Sequence, residues 1–395
     1  MSHFRLAFIL ALTVALGPFA IDAYLPAFPF IAESLQVPIH DVSLSISVYI
    51  LTLAVGQLVG GPLADRYGRQ PIMLSGLLVF LVASALLYRT DSLSSLLWLR
   101  ALQAFGGGWA TACVPALVRD QVHGAEAAKL FSLIALIMVA APAVAPSLGG
   151  LILHFADWRG IFLFLSVYSL FLLLLLKFFL FSHPSGNRYQ ADKTPAWQRY
   201  LSVLKTRPAW RFILIQASVF TVMMLFVTHS SFVYQGHYQV STTTFGLLFG
   251  ANIVLMALMN VLNRSLLNFY SPQHILRSCL VIQALAVAFL LCVAYWQLPL
   301  WCFVVATVLI IGMFGGISPN TQACYMNFFD KNGGTAGALM GAFQFSVAGS
   351  ISTISALLPE ALLTIVAAQA LCCALGLLAA WWPQSSELGA EKQTQ

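Results

Sequence analysis

Long apolar stretches recur along the whole chain and constrain it more than any other feature. Of its 395 residues, 60% are hydrophobic and only 8% are charged, which leaves too little polar surface to enclose an apolar core in water. A helix of about 20 mainly apolar residues spans a bilayer. Twelve such stretches can be placed on this sequence, at 4–28, 42–64, 72–89, 95–118, 127–153, 160–181, 210–233, 243–263, 275–295, 300–325, 335–358 and 360–382.

These stretches predict an all-α membrane protein. Backbone groups in hydrocarbon have no water to bond, so only helices or closed barrels can span, and the runs are too long for barrel strands. One long polar segment separates the sixth stretch from the seventh and divides them into two groups of six. We therefore expect two pseudo-symmetric six-helix bundles, at 1–181 and 210–382, a cytoplasmic linker with a short interfacial helix at 182–209, and a cytoplasmic tail at 383–395.

The basic residues predict the orientation in the membrane. Cytoplasmic loops retain Lys and Arg. The chain has nineteen of these residues, and all but three fall on one side of the predicted spans: Arg89 and Arg159 lie on the other side, and Arg100 lies within a span. Both termini are therefore expected in the cytoplasm. The net charge of +6 is explained by this topology and by attraction to lipid headgroups, and no nucleic-acid partner is expected.

The first stretch also has an alternative interpretation as a signal peptide. Arg5 precedes an apolar run, and Ala15 and Gly17 offer small residues for cleavage. Cleavage would leave eleven spans and remove Asp22 or its surroundings. A retained first helix is therefore expected.

Enzymatic chemistry is not expected. The seven cysteines fall inside predicted spans without the spacing of metal ligands. Of the eight histidines only His229 is clearly within a span. The sequence thus predicts neither a metal site nor a catalytic cluster.

The loop between the second and third spans carries the most specific motif. It reads Gly61-Pro62-Leu63-Ala64-Asp65-Arg66-Tyr67-Gly68-Arg69-Gln70. The sequence here resembles the major facilitator superfamily, whose hallmark cytoplasmic loop has the pattern Gly-x-x-x-Asp-Arg-x-Gly-Arg. Gly61 is expected to admit a close helix and Gly68 to take a positive φ, while Arg66 and Arg69 hold the cytoplasmic side. The alternative is an ordinary polar turn.

Asp65 is the residue expected to switch between conformations. Its carboxylate could accept hydrogen bonds from the positive end of span 11, which Gly333-Gly334-Thr335 opens. Asp120, in Val118-Arg119-Asp120, is similar to the family pattern and is assigned to the same latch. Gln70 departs from that pattern, in which a basic residue is usual.

Further stretches resemble the twelve-span drug:proton antiporters, and within them the Bcr/CflA group. They are Ile21-Asp22-Ala23-Tyr24-Leu25-Pro26-Ala27, Arg100-Ala101-Leu102-Gln103-Ala104-Phe105-Gly106 and, as a partial match to the antiporter motif, the region with Pro142, Pro146, Gly149 and Gly150. The resemblance implies the major facilitator fold and a proton-coupled antiporter that exports small amphipathic molecules such as phenicol or bicyclomycin-like compounds. It further implies a monomer in the bacterial inner membrane, driven by the proton gradient without a cofactor, with lipid, protons and substrate as its partners.

Asp22 and Arg100 are expected to couple transport to protons. An ionisable residue inside a span is costly and is usually functional. Span 1 rises from the cytoplasm and span 4 descends from outside, so the two residues lie at matching depths. Burial and a nearby guanidinium act in opposite senses on the proton affinity of a carboxyl group, which could therefore differ between conformations. The alternatives are a structural ion pair and an Asp22 that stays solvated near the interface.

The substrate cavity is predicted from polar and aromatic residues in spans expected to face the centre. Such a wall suits adaptable recognition of amphipathic molecules. Each residue could instead serve helix packing or an interhelical hydrogen bond. The candidates are Tyr49, Gln57, Gln103, Met223, Phe226, Asn252, Asn320, Phe343 and Gln344.

Two other functions remain open at this point. The chain could be a dedicated exporter of a metabolite or metallophore, in which case drug resistance would be incidental. It could also be a proton symporter that imports its substrate. Growth or secretion after deletion separates the first from a drug exporter, and the direction of flux after a pH jump separates the second.

Overall fold

A computed structural model describes residues 3–121, 124–181, 196–329, 333–358 and 361–382 of the chain. Within these residues it contains α-helices, short 3-10 or π-helical turns and no β-strand. The helices are α1 His3–Asp22, α2 Phe28–Leu35, α3 Ile39–Tyr67, α4 Arg69–Leu87, α5 Leu93–Gln121, α6 Gly124–Phe155, α7 Arg159–Leu175, α8 Ala196–Leu204, α9 Trp210–Ser231, α10 Thr242–Leu266, α11 Pro272–Trp296, α12 Leu300–Met326, α13 Gly333–Leu357 and α14 Leu362–Ala380.

The expectation of an all-α membrane protein is confirmed. Ten helical segments in the described residues are long and apolar enough to cross a bilayer. The two remaining predicted spans, 95–118 and 127–153, coincide with α5 and α6, which have 29 and 32 residues. In α6 the described apolar part is shorter, at Ala140–Phe155.

The first predicted span differs from the structure at its end. It was expected as one helix to residue 28, but α1 ends at Asp22 and a 3-10 turn at Leu25–Ala27 leads into α2. Pro26 has no N–H to donate, so an α-helix does not run through it unchanged. The helical path then continues to Leu35, where Gln36 closes α2 with a φ of 55°.

The turn between α3 and α4 has the backbone that the sequence predicts. Gly68 has a φ of 98°, a conformation that glycine adopts without the steric cost of a Cβ. The predicted short helix of the linker is also present, as α8. The local sequence therefore predicts both this turn and the presence of this helix.

One compact unit comprises residues 1–193, 226–254 and 349–360. In it α5 packs against α3 and α4, α1 packs against α6, and α4 packs against α7. We call the end of this unit where α1 and α6 end and α10 begins the outer end, because the basic residues predict that it faces away from the cytoplasm. A π-helical turn at Phe232–His237 follows α9 there.

The second unit comprises residues 194–225, 255–348 and 361–395. Helix α11 packs against α12 and α14, and the Tyr325 hydroxyl donates to the Ala336 carbonyl oxygen at 3.1 Å. Leu371, Leu375 and Leu378 form an exposed stripe on α14. Their helical spacing gives this face of the helix to lipid.

Candidate functional site

Asp22 is the last residue of α1 and lies inside the first unit. It is only 6% exposed, and it makes no hydrogen bond or ion pair within the described parts of the chain. A carboxylate buried without a partner is costly, whereas the neutral acid is much less so. The position therefore suits a group that gains and loses a proton.

Arg100 lies in α5 and is fully buried. Its guanidinium carbon lies over two tyrosine rings, 4.7 Å from the ring centroid of Tyr24 and 4.3 Å from that of Tyr49. A desolvated cation over an aromatic ring gains about 2 kcal/mol. Because Tyr24 follows Asp22 by two residues, its contact with Arg100 connects this arginine to the segment that carries the acid.

Polar side chains hold one edge of this guanidinium. Arg100 Nη1 donates to Gln103 Oε1 at 2.7 Å, and Gln103 Nε2 donates to Ser84 Oγ at 2.8 Å. The other nitrogens of Arg100, Nε and Nη2, have no acceptor among the described residues. These two nitrogen atoms of a buried cation can therefore donate to an acceptor that reaches them in another conformation or with a ligand.

Within the described residues Asp22 and Arg100 form no salt bridge, and the contact of Arg100 with Tyr24 is what connects Arg100 to the segment of Asp22. Arg100 contacts Tyr24 and Tyr49, and its pairing with Asp22 is not seen in this conformation. Tyr49, which the sequence places in the cavity wall, contacts this guanidinium. The sequence interpretation missed Tyr24 as an Arg100 partner, although it stands within the quoted Asp-x-Tyr-Leu-Pro segment.

The antiporter motif in α6 touches two other helical segments at the outer end. A Cβ on Gly149 would overlap the carbonyl oxygen of Ala23, the residue next to Asp22. Gly150 faces Thr242 at the start of α10, with 3.6 Å from its Cβ position to Cγ2. Pro142 and Pro146 both lie inside α6. The motif thus links the backbone beside the acid to α10.

The loop motif is described only in part. Arg66 is exposed and lies over the Tyr67 ring at 5.2 Å, and Arg69 is the first residue of α4. No described atom lies within 4 Å of the Cβ position at Gly61, so the expected close helix is not found in the described residues. The side chains of Asp65 and Asp120 lie outside the described residues. The latch remains a prediction.

Besides Tyr49 and Gln103, three cavity candidates lie in the first unit. Gln57 Nε2 donates to Thr111 Oγ1 at 3.3 Å. Phe226 is buried and stacks on Phe249, with ring centroids 5.7 Å apart. Asn252 donates to the carbonyl oxygen of Leu248 at 2.9 Å, within its own helix. Together with Gln103, which holds Arg100, these residues all have partners inside the protein.

The other candidates lie in the second unit and form two groups. Gln216 Nε2 donates to Gln344 Oε1 at 2.9 Å and to Ser318 Oγ at 3.1 Å, so it joins α9, α12 and α13. Phe343 meets the Trp210 ring edge-on at 5.8 Å. The sequence interpretation missed Gln216 and Ser318, which show their role only once the helices are packed.

Asn320 and Met223 complete the second unit's candidates. Asn320 Nδ2 donates to the carbonyl oxygen of Gly316 at 2.7 Å and also bonds Asn263. Met223 is half-buried on α9. The Asn320–Asn263 bond joins α12 to α10, as expected of an interhelical hydrogen bond.

Comparison with known families agrees with the family resemblance that the loop motif indicates. The model of the Major Facilitator Superfamily matches residues 10–356. The chain belongs to the major facilitator superfamily. A curated relative, the bicyclomycin resistance protein homolog of Haemophilus influenzae, is 31% identical over 90% of this chain and 91% of its own length. The chloramphenicol resistance protein of Pseudomonas aeruginosa is 29% identical over 91% of this chain and 87% of its own. Both names agree with the resemblance to the Bcr/CflA group.

Solved structures agree on the major facilitator fold. The xylose transporter XylE from E. coli, in a partially occluded inward-open conformation, superposes with a TM-score of 0.73 and covers 97% of this chain and 98% of its own. Its sequence identity is 14%, so the likeness concerns the fold alone. The chain is a multi-pass membrane transporter of this superfamily.

Proposed function

We propose that this major facilitator is a proton-coupled antiporter that exports small amphipathic molecules by alternating access. The observation that carries the proposal is the buried, unpaired Asp22 at the end of α1, close in sequence to a tyrosine that stacks on Arg100. Such an acid can be neutral while it is buried and charged when it meets a cation or water. Asp22 and Arg100 are the proposed proton-coupling residues.

The proposed cycle links the proton on Asp22 to the state of Arg100. With the acid protonated, Arg100 keeps its contacts with the Tyr24 and Tyr49 rings and its hydrogen bond to Gln103. When the proton leaves, the carboxylate becomes an acceptor that the unbonded Nε and Nη2 atoms can serve. Because Gly149 packs on Ala23, a shift of the Asp22 segment would displace α6 directly.

The proposed substrates are phenicol or bicyclomycin-like compounds. The support is twofold: the names of the two resistance proteins that the chain is similar to, and the candidate residues, which combine amide groups with aromatic rings. Tyr49, Gln57, Gln103 and Phe226 in the first unit and Met223, Phe343 and Gln344 in the second are the proposed cavity set, with Asn252 and Asn320.

The proposed setting is a monomer in the bacterial inner membrane with both termini in the cytoplasm. Within it we propose two six-helix bundles, 1–181 and 210–382, joined by the linker 182–209. Asp65, Arg66, Arg69 and Asp120 are proposed to latch the cytoplasmic side against the start of α13. The positive-inside distribution of Lys and Arg supports this orientation.

Flux in proteoliposomes under an imposed pH gradient tests the function. Chloramphenicol and bicyclomycin are offered with a panel of sugars and metallophores as controls. The proposal expects chloramphenicol or bicyclomycin to move against the direction of proton flow, with protons counted by a trapped pH dye. Movement of the compound in the same direction as the protons would establish symport and overturn it. Transport of panel metabolites alone would establish a dedicated exporter.

A further inference from the structure

A crevice opens at the outer end of the first unit, and neither Asp22 nor Arg100 is among its lining residues. Its volume is about 520 Å³, within the range of about 300–1,000 Å³ that small-molecule sites occupy. It lies where α6 ends, α10 begins and α2 passes. Its walls are Phe30, Ser147, Gly150, Leu151, Leu153, His154, Thr242, Thr243 and Leu247.

Three hydroxyl groups line this crevice without a hydrogen-bond partner among the described residues. Ser147, Thr242 and Thr243 make no side-chain hydrogen bond to any described residue. Several hydroxyls elsewhere in the helices bond their own backbone, as Thr13 does to Ile9 at 3.0 Å and Thr221 does to Ala217 at 2.7 Å, whereas the buried hydroxyls of Ser47, Thr228 and Ser352 have no partner among the described residues. The bond to the backbone is the usual way to satisfy a hydroxyl in an apolar setting. The crevice hydroxyls are free to bind a ligand.

The apolar walls of the crevice face outward. Leu151 is 55% exposed and Leu247 is 68% exposed, and Phe30 beside them is 44% exposed. In a membrane-spanning protein, exposed leucines near the end of one spanning helix and the beginning of another lie against lipid chains. The crevice therefore opens sideways to hydrocarbon as well as toward the surface.

His154 completes the polar side of the crevice. It lies in the last turn of α6, and its imidazole can donate a hydrogen bond in either protonation state. None of the lining residues is acidic. Hydroxyl and imidazole donors above an apolar flank match a ligand with oxygen acceptors at one end and hydrocarbon at the other.

We propose that this crevice binds a phospholipid of the outer leaflet. Its phosphodiester accepts hydrogen bonds from Ser147, Thr243 and His154, and its acyl chains run past Leu247 toward the middle of the bilayer, while Leu151 packs against its glycerol region. The lipid is favoured over other amphipathic ligands because the crevice opens to the bilayer itself, where phospholipid is the most abundant occupant. The lipid site does not rest on proton coupling, although Gly150 of the antiporter motif is part of its wall.

The position of the crevice gives the bound lipid a structural consequence. Gly150 and Ser147 on α6 face Thr242 and Gly246 on α10, with 3.3 Å from the Gly246 Cβ position to Ser147 Oγ. These small residues let the two helices approach closely. A lipid that bonds Ser147 on one helix and Thr243 on the other bridges this contact and stabilises it.

Photo-crosslinking in nanodiscs tests the site with the full chain. The probes are phosphatidylethanolamine and phosphatidylglycerol, each with a diazirine near the glycerol, because both carry the phosphodiester. The double variant Ser147→Ala/Thr243→Val is compared with Ser350→Ala/Thr364→Val, which removes the same groups outside the crevice. Cross-links to residues 147–154 or 242–247 are expected in the wild type and the control, and about tenfold fewer in the double variant.

Two further measurements keep the result decisive. Leu151→Trp fills the crevice and should reduce the same cross-links, whereas Leu371→Trp on the exposed stripe of α14 should not. Size-exclusion profiles and melting temperatures establish that each variant is folded. Cross-links that fall elsewhere, or that are equal in all variants, would overturn the lipid site. Loss of chloramphenicol binding in the double variant, with lipid cross-links unchanged, would assign the crevice to a transported compound and overturn it as well.

Discussion

The guanidinium of Arg100 lies 4.7 Å from the centre of the Tyr24 ring, two residues along the chain from Asp22. The same guanidinium lies 4.3 Å from the centre of the Tyr49 ring. The cation is thus stabilised by aromatic faces and by Gln103, while two of its nitrogens stay unbonded. An arginine held in this way keeps its charge available to a carboxylate that approaches later.

Tyr24 should matter for its ring more than for its hydroxyl. Tyr24→Phe keeps the stacked face and loses the bond to Ser45 (3.1 Å), so transport should stay close to wild type. Tyr24→Leu removes the ring, and the initial rate of export should fall about tenfold. Initial rates in inverted vesicles, normalised to protein, check both. Equal rates for the two variants would show that the cation–π contact has no part in transport.

Arg100→Lys should fail although it conserves the charge. The ammonium group of lysine lacks the planar surface with which the guanidinium contacts the Tyr24 and Tyr49 rings, and it presents its donors in a different geometry. We expect the rate to fall by about tenfold or more. Arg89→Lys, at an exposed arginine after α4, is the matched control and should transport normally. Wild-type activity in Arg100→Lys would contradict this account of the site.

Gly149→Ala should loosen the outer end of the first unit. The added Cβ overlaps the Ala23 carbonyl oxygen, so α1 and α6 must move apart, at a cost of about 1–3 kcal/mol. Thermal unfolding in detergent, followed by intrinsic fluorescence, should show a lower melting temperature. Gly17→Ala is the control, since no atom lies within 4 Å of its Cβ position. The same melting temperature in both variants would rule out a tight contact at Gly149.

The sequence predicts the spanning helices because their signal is local. Stretches such as 72–89 are long and apolar, and each became a helix of similar extent. The positive φ of Gly68 is also local, since the turn between two helices requires it. The break after Asp22 was missed because hydropathy continues across it, and Pro26 alone does not predict it, since Pro18 lies inside α1 and Pro142 and Pro146 lie inside α6.

The site contacts depend on packing that no local pattern encodes. Gln216 and Gln344 are 128 residues apart in the chain and bond at 2.9 Å. Tyr49 carries no local sign that its ring covers Arg100 rather than a substrate. The ionisable residues themselves were found from sequence, because a charge inside an apolar span is conspicuous. Their partners required the structure.

Asp22→Asn in proteoliposomes tests the central claim most directly. Chloramphenicol or bicyclomycin, whichever the wild type moves, is loaded and a pH gradient is imposed, while Glu33→Gln, at an exposed acid of α2, serves as the control. Asparagine is close in shape to the protonated acid and cannot release a proton, so gradient-driven export and the coupled proton flux should both disappear, while binding of the compound to the purified protein is retained. Export by Asp22→Asn that still responds to the pH gradient as the wild type does would contradict the assignment of Asp22 as the proton-coupling residue.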